Sequence, residues 1–204
     1  MSKQSNRALV AVDADTLLYR AAAVCDNRSI LVTHEPTGKT KAFKNKTEFK
    51  ELMKQKDKLV TTDYHIQQVQ APEPVSHALK IIKSGAEEIL DNYLHCDVVF
   101  CAGADDNFRD NLPYPTKYKG NRANTLRPVL LGECYSYFSK QYKAVRSEGH
   151  ETDDEVGIIA YEAIKQGREA FILSPDGDSR QFDGVRLGGY SDKPEDCELL
   201  EFFP

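Results

Sequence analysis

Three short runs that are apolar at every position most constrain the fold of this 204-residue chain: residues 8–12, 98–101 and 170–173. Short continuous runs of this kind are typical of strands buried on both faces of a sheet. Elsewhere apolar residues recur at helical spacing, which predicts helices at 16–25, 75–93, 129–142 and 152–165. This alternation predicts an α/β fold with a mainly parallel central sheet and helices on both faces.

Residues 29–74 do not follow this alternation. Two stretches of strand-forming residues flank a Pro-Thr-Gly-Lys turn at 36–39, which predicts a β-hairpin. A basic segment that suits a helix starting near Thr47 comes next, followed by a strand of alternating polarity at 64–69. We interpret 29–74 as a β-hairpin and helical insertion on the α/β core.

The length suits one domain, so we interpret residues 1–204 as a single domain that ends in a polar tail, 183–204. No run approaches the ~18 apolar residues of a membrane helix, and the N-terminus lacks the pattern of a signal peptide. We therefore expect a cytoplasmic protein with no membrane partner. The five cysteines form no CxxC pair and the five histidines are scattered, which argues against a zinc site or a disulfide framework.

Acidic residues follow each of the three apolar runs. They are, in chain order, Asp13 and Asp15, Asp105 and Asp106, and Asp176 and Asp178. The carboxyl ends of parallel strands lie at one edge of an open sheet, and ligands bind at that edge. The sequence therefore predicts that these three acidic turns converge on one site.

A fourth acidic cluster, Glu151, Asp153, Asp154 and Glu155, lies at the start of a predicted helix. The helix dipole stabilises acids in a first turn by ~0.3–1 kcal/mol each, which explains one or two of them. Four acids within five residues repel one another, and a divalent cation would neutralise them. Carboxylate oxygens without histidine or cysteine favour Mg²⁺ or Mn²⁺. An acidic pocket beside the basic residues at 117–127 suits a metal-dependent enzyme that acts on a polyanion.

The first acidic turn is open to two interpretations. The stretch VAVDADTLL (10–18) resembles the Asp-x-Asp-x-Thr signature of haloacid-dehalogenase-like phosphatases. That resemblance implies that Asp13 attacks phosphorus and that Asp15 serves as acid and base. This alternative leaves the segments KYKGNR and GHETDDE without a role.

Three later segments support the second interpretation: FRDNLPYPTKYKGNR (108–122), GHETDDEVGIIA (149–160) and ILSPDGDSRQF (172–182). In this order they resemble the flap endonuclease and phage-type 5′→3′ exonuclease family. The resemblance implies a PIN-like nuclease core in a bacterial or phage-infected cell. It also implies hydrolysis of DNA, or of RNA–DNA, at 5′ ends or flaps by water activated by two Mg²⁺ or Mn²⁺ ions.

The resemblance also assigns roles to individual residues. The implied metal ligands are carboxylates, namely Asp13, Glu151, Asp153, Asp154, Asp176 and Asp178. Lys119 and Arg122 would be catalytic groups that contact the scissile phosphate, and Arg109 and Lys117 would bind phosphate.

Two positions depart from the family pattern. Cys101 stands where the family has an aspartate after its second strand, and Asp105 or Asp106 would replace it from the following loop. Asp15 would contact the metals through water or cap the helix at 16–25.

Nothing after Phe182 resembles the family's helix–turn–helix module with its Gly-Asp-x-x-Asp-Asn segment. The sequence would then be a fragment, a short phage-like variant, or a core whose duplex-binding module lies on a partner chain. A third functional alternative is a decayed nuclease core that binds nucleic acid without cleaving it.

Overall fold

The computed structural model describes residues 7–56, 63–103, 126–147 and 149–201. In chain order the strands are β1 (Leu9–Asp13), β2 (Asp26–His34), β3 (Lys39–Phe43), β4 (Tyr64–Pro72), β5 (Asp97–Gly103), β6 (Val145–Ser147), β7 (Ala170–Leu173), β8 (Arg186–Gly188) and β9 (Glu198–Leu199). The α-helices are α1 (Asp15–Val24), α2 (Lys46–Gln55), α3 (Val75–Asn92), α4 (Leu131–Tyr142) and α5 (Thr152–Lys165). Within these ranges no helix has both the length and the apolar composition needed to cross a bilayer.

Six strands form the main sheet, in the order β6-β5-β1-β7-β8-β9. All neighbouring pairs are parallel except β8 and β9, which pair antiparallel. β1 lies between β5 and β7, and four of its five residues, 9–12, pair with both neighbours. The mainly parallel central sheet predicted from the apolar runs is therefore present.

Helices cover both faces of this sheet. Alternate residues of β1 point to opposite faces, so each face packs on a different set of helices. Val10 and Val12 belong to a core that includes α1, α3 and α4, whereas Leu9 and Ala11 pack with α5. A strand with both faces buried must be apolar at every position, which is the pattern that identified β1 in the sequence.

Residues 183–201 correct one prediction, since they do not form a polar tail. β8 pairs with β7, β9 pairs with β8, and Val185, Leu187 and Leu200 are buried against α5. The two strands are only three and two residues long, so their sequence carries too short a pattern to predict them. They become strands by extending a sheet that already exists.

The predicted insertion forms a second, antiparallel sheet in the order β3-β2-β4. The predicted hairpin joins β2 and β3 through Gly38, which has a φ of 64° that glycine adopts without strain. α2 packs on one face of this sheet through Phe49 and Met53. The helix begins at Lys46, and its cap is Asn45, whose side chain accepts the Glu48 amide hydrogen bond at 2.9 Å.

A buried carboxylate attaches the base of the insertion to the rest of the protein. The Asp26 side chain accepts hydrogen bonds from Arg28 at 2.9 Å and from Gln70 at 2.7 Å. Arg28 and Gln70 also donate to the main-chain oxygens of Leu126 and Arg127, at 2.9 and 2.8 Å. β2 and β4 are therefore linked to the chain that leads into α4.

We expect Gly157→Ala to destabilise the fold. An alanine Cβ at this position of α5 would lie 2.2 Å from the Phe182 ring, so the packing between the helix and the segment after β7 must shift. Overpacking of this kind costs about 1–3 kcal/mol, more than the ~1 kcal/mol that alanine contributes as a better helix former. Urea denaturation measures the change in the free energy of unfolding.

Gly132→Ala is the matched control, because a Cβ at Gly132 of α4 meets no atom within 4 Å. This variant is expected to be as stable as the wild type or more stable, by up to about 1 kcal/mol. Equal effects of the two substitutions would contradict the tight contact between Gly157 and Phe182.

Candidate functional site

The topology of the sheet indicates where a ligand would bind. The chain passes from β1 to β5 and β6 on one side, and α5 then carries it back to β7 on the other side of β1. α1, α3 and α4 cover one face, and α5 covers the opposite face. β1 and β7 therefore flank the point at which the strand order reverses, and open α/β sheets bind ligands at the carboxyl ends of such strands.

Asp13, the last residue of β1, lies at this point and is only 7% exposed. Its Oδ1 accepts the main-chain N–H of Asp15 at 3.0 Å, and its Oδ2 accepts the hydroxyl of Ser174 at 3.1 Å. Ser174 directly follows β7 and in turn accepts the Asp176 N–H at 3.2 Å. The ends of β1 and β7 are thus joined through the Asp13 carboxylate.

The environment of Asp13 disfavours its negative charge. The pKa of Asp13 is raised from 3.8 to about 6, mainly by burial, then by repulsion from Asp15 and, more weakly, from Asp153. The hydrogen bonds from the Asp15 amide and from Ser174 lower the pKa but do not compensate. A cation bound here would relieve the repulsion.

Of the roles predicted for Asp15, the structure excludes that of a helix cap. α1 begins at Asp15 itself with Ala14 as its cap, so Asp15 is not the helix N-cap. Its Oδ1 accepts the Gly103 N–H and the Tyr135 hydroxyl, both at 2.8 Å, and its Oδ2 accepts the Thr152 hydroxyl at 2.7 Å. One carboxylate thus holds the end of β5, the side of α4 and the start of α5 around the site.

Local contacts account for much of the acidic cluster at the start of α5. Glu151 is the N-cap, and its side chain and that of Asp154 accept each other's main-chain N–H groups in a capping box. Glu155 is hydrogen-bonded to His150. From the sequence, the helix dipole was the only structural explanation considered for these acids. The structure adds the capping box and the contact with His150.

Asp153 differs from its neighbours because it faces the site. Its pKa is raised by burial and by repulsion from Glu151 and Asp154. It lines an open cleft of about 330 Å³ together with Gly177, Asp178 and Gln181. Asp153 and Asp178, predicted from separate segments, therefore border the same cleft.

Asp176 and Asp178 lie at the start of a 3-10 helix, Gly177–Gln181, that follows β7. Asp176 caps this helix by accepting the Asp178 N–H at 3.3 Å, and both residues are exposed. Their position after β7 agrees with the predicted arrangement of acids at the carboxyl ends of the strands.

The predicted metal ligands do not converge completely. Among the described residues, no three histidine, cysteine, aspartate or glutamate side chains lie together in an arrangement that could hold a metal ion. The other predicted site residues fall outside the described ranges, so their roles stay predictions: Asp105, Asp106, Arg109, Lys117, Lys119 and Arg122.

Cys101 is not the last residue of its strand, contrary to what the apolar run 98–101 predicted. β5 continues to Gly103, and Cys101 lies opposite Asp13 with its side chain buried beside α5. A Cβ at Gly103 would lie 2.9 Å from Asp15 Oδ2, so the strand end has no room for an aspartate side chain.

Sequence reasoning missed several residues that shape the site. Ser174 could have been found, since it directly follows a predicted strand. Tyr135 and Tyr190 could not, because they reach Asp15 and the Asp13 main-chain oxygen from 120 and 177 residues away.

We expect the metal-free protein to lose stability as the pH rises from about 4 to about 6. The folded state holds the Asp13 proton more tightly than the unfolded state does, because its pKa is raised from 3.8 to about 6. The stabilisation is therefore complete below the unfolded value and is lost as the pH rises through the folded value. The loss amounts to roughly 3 kcal/mol.

Urea denaturation in a chelating buffer at pH 4 and pH 7.5 measures this effect, with Asp13→Asn as the reference. The variant should match the wild type at pH 4 and be more stable than it at pH 7.5. A stability difference that does not change with pH would contradict the raised pKa.

Comparison of the sequence with models of known protein families gives no match, and comparison with curated proteins finds no significant match. The chemistry of the site is therefore inferred from its residues and their geometry.

Proposed function

We propose that this chain is a divalent-metal-dependent nuclease on a PIN-like α/β core that hydrolyses DNA, or RNA–DNA, at 5′ ends or flaps. The observation that carries the proposal is the buried Asp13 carboxylate at the point where the strand order reverses. Asp15 and Asp153 are close enough to raise its pKa, and Asp176 and Asp178 follow the adjacent strand. Such a concentration of negative charge suits a cation-binding site.

The donor chemistry fits Mg²⁺ or Mn²⁺, since every candidate ligand is a carboxylate. By the resemblance to 5′ nucleases, Asp13 and Asp153 would hold the metal together with Asp176 or Asp178, although no three of these described side chains lie together as a complete site. Glu151 and Asp154 would contribute beside their capping role. Bound ions would lower the pKa of water and neutralise charge that develops on the phosphate. The exposure of the cleft beside Asp153 and Asp178 leaves room for a polymeric substrate.

The protein's own residues would position the reacting groups. The hydroxyl of Ser174 and the amide of Asp15 orient the Asp13 carboxylate. Lys119 and Arg122, by the resemblance to 5′ nucleases, would contact the scissile phosphate, with Arg109 and Lys117 binding the neighbouring backbone.

The phosphatase alternative requires Asp15 to donate a proton. The three contacts of its carboxylate are all with donors, namely an amide and two hydroxyls. That arrangement suits a carboxylate that accepts hydrogen bonds and holds three elements together. It therefore favours the nuclease, in which Asp13 binds a metal ion and does not attack phosphorus.

The test uses a 5′-flap DNA duplex labelled at the flap, incubated with the full chain in Mg²⁺, in Mn²⁺ and in EDTA. We expect cleavage with either metal and none in EDTA. Absence of cleavage with both metals, on flaps and on recessed 5′ ends, would leave the non-catalytic binding alternative. Turnover of a small phosphomonoester that beryllofluoride inhibits would instead favour the phosphatase.

A further inference from the structure

The insertion carries a strong positive charge on an otherwise acidic protein. Residues 39–56 contain seven lysines and two glutamates, whereas the whole chain has a net charge of −5. All seven lysines are exposed. Glu48, one of the two acids, is used locally, because its carboxylate accepts the Lys44 N–H at 2.6 Å. The segment thus presents an excess of cationic side chains to solvent.

Three of these lysines are aligned. Lys46, Lys50 and Lys54 are four residues apart on α2, so they lie along one side of the helix. They flank the buried side formed by Phe49 and Met53. The row extends for about 12 Å, since each residue adds about 1.5 Å along the helix axis. That length matches three to four nucleotides of one duplex strand, at about 3.4 Å each.

The row begins next to the core of the protein. Arg28, Lys44 and Lys46 line a cavity of about 280 Å³ that Leu126 also borders. Leu126 precedes Arg127, whose charge acts on Tyr135, the residue that donates to Asp15. A polyanion lying along the lysines would therefore run from the insertion towards the chain that supports the candidate site.

The chemistry of the surface favours a duplex over a single strand. Proteins that bind single strands stack the bases on exposed aromatic side chains. The two aromatic residues of 39–56, Phe43 and Phe49, are 7% and 2% exposed and pack against each other. The surface therefore offers charge for phosphates without aromatic platforms for bases.

We propose that Lys46, Lys50 and Lys54 of α2 form a binding surface for the phosphate backbone of a nucleic acid duplex. The proposal rests on the proposed function, because it assigns the duplex part of the substrate to the insertion. It gives this chain a duplex-binding surface of its own.

The test measures binding without cleavage. Fluorescence anisotropy of a labelled 20-base-pair duplex is recorded in EDTA at salt concentrations from 50 to 200 mM, for the wild type and for Lys46→Ala/Lys50→Ala/Lys54→Ala. Loss of three phosphate contacts should reduce the slope of log K against log salt by about 2.7. The affinity at 100 mM salt should fall at least tenfold.

The control variant, Lys80→Ala/Lys83→Ala/Lys140→Ala, removes three exposed lysines from α3 and α4. It should keep nearly the wild-type slope. Equal losses in the two variants, or an unchanged slope in the α2 variant, would overturn the proposal, as would a loss confined to single-stranded DNA. The binding assay contains EDTA and is therefore independent of metal-dependent cleavage. A protein that binds the duplex as expected but does not cleave the flap substrate with Mg²⁺ or Mn²⁺ would refute the proposed function and leave this proposal standing.

Discussion

Asp13→Asn is expected to abolish metal-dependent cleavage while the fold remains intact. Asparagine keeps the size of the side chain and an oxygen for the amide of Asp15, but it removes the charge at the centre of the candidate metal site. Loss of an outer partner of a metal ligand costs ~10–100-fold in affinity or activity, and loss of a ligand should cost more. We therefore expect activity to fall by more than ~100-fold.

Two measurements separate this effect from a loss of structure. Urea denaturation at pH 7.5 should show a variant at least as stable as the wild type, because the buried charge is gone. Calorimetric titration with Mn²⁺ should show weaker binding or none. Asp91→Asn is the control, because it removes an exposed carboxylate of α3 that is not among the candidate ligands. It should change neither the nuclease activity nor the affinity for Mn²⁺. A variant that keeps a tenth of the activity would exclude Asp13 as a ligand.

Asp15→Ala is expected to cause the largest loss of stability among the site variants. It would leave the Gly103 amide and the hydroxyls of Tyr135 and Thr152 without their acceptor. Each buried polar group that loses its partner costs about 1–3 kcal/mol. We expect the free energy of unfolding to fall by at least about 3 kcal/mol, measured by urea denaturation.

Asp15→Asn is the matched control for this prediction. The amide oxygen can replace Oδ1, which accepts from Gly103 and Tyr135, and the hydroxyl of Thr152 can turn to accept from the amide nitrogen. Its cost should therefore be much smaller, about 1 kcal/mol. If alanine and asparagine were equally destabilising, the charge of Asp15 would matter more than its hydrogen bonds.

The sequence predicts elements whose pattern is local. β1 is apolar at every position because both of its faces are buried, and the hairpin of β2 and β3 surrounds a turn with a glycine at positive φ. Asp13 is placed correctly because it directly follows a recognisable strand. In each case a short window of residues contains the physical reason for the structure.

The same reasoning fails where the cause lies far along the chain. Asp15 was interpreted from its neighbours, but its partners are 88, 120 and 137 residues away. β8 and β9 are strands because β7 offers a free edge to pair with, which their own few residues do not reveal. The acids in the first turn of α5 are a separate case, because a capping box and a histidine within the same short segment also account for several of them.

The contacts of Asp13 also determine how late during synthesis its surroundings can be completed. Its side chain is bound by Ser174 and its main-chain oxygen by Tyr190, which follow it by 161 and 177 residues. Synthesis proceeds at about 5–20 residues per second, so roughly 10 to 35 seconds pass before these partners are made. The proposed nuclease would thus lack these contacts of its central carboxylate until residue 190 has been synthesised.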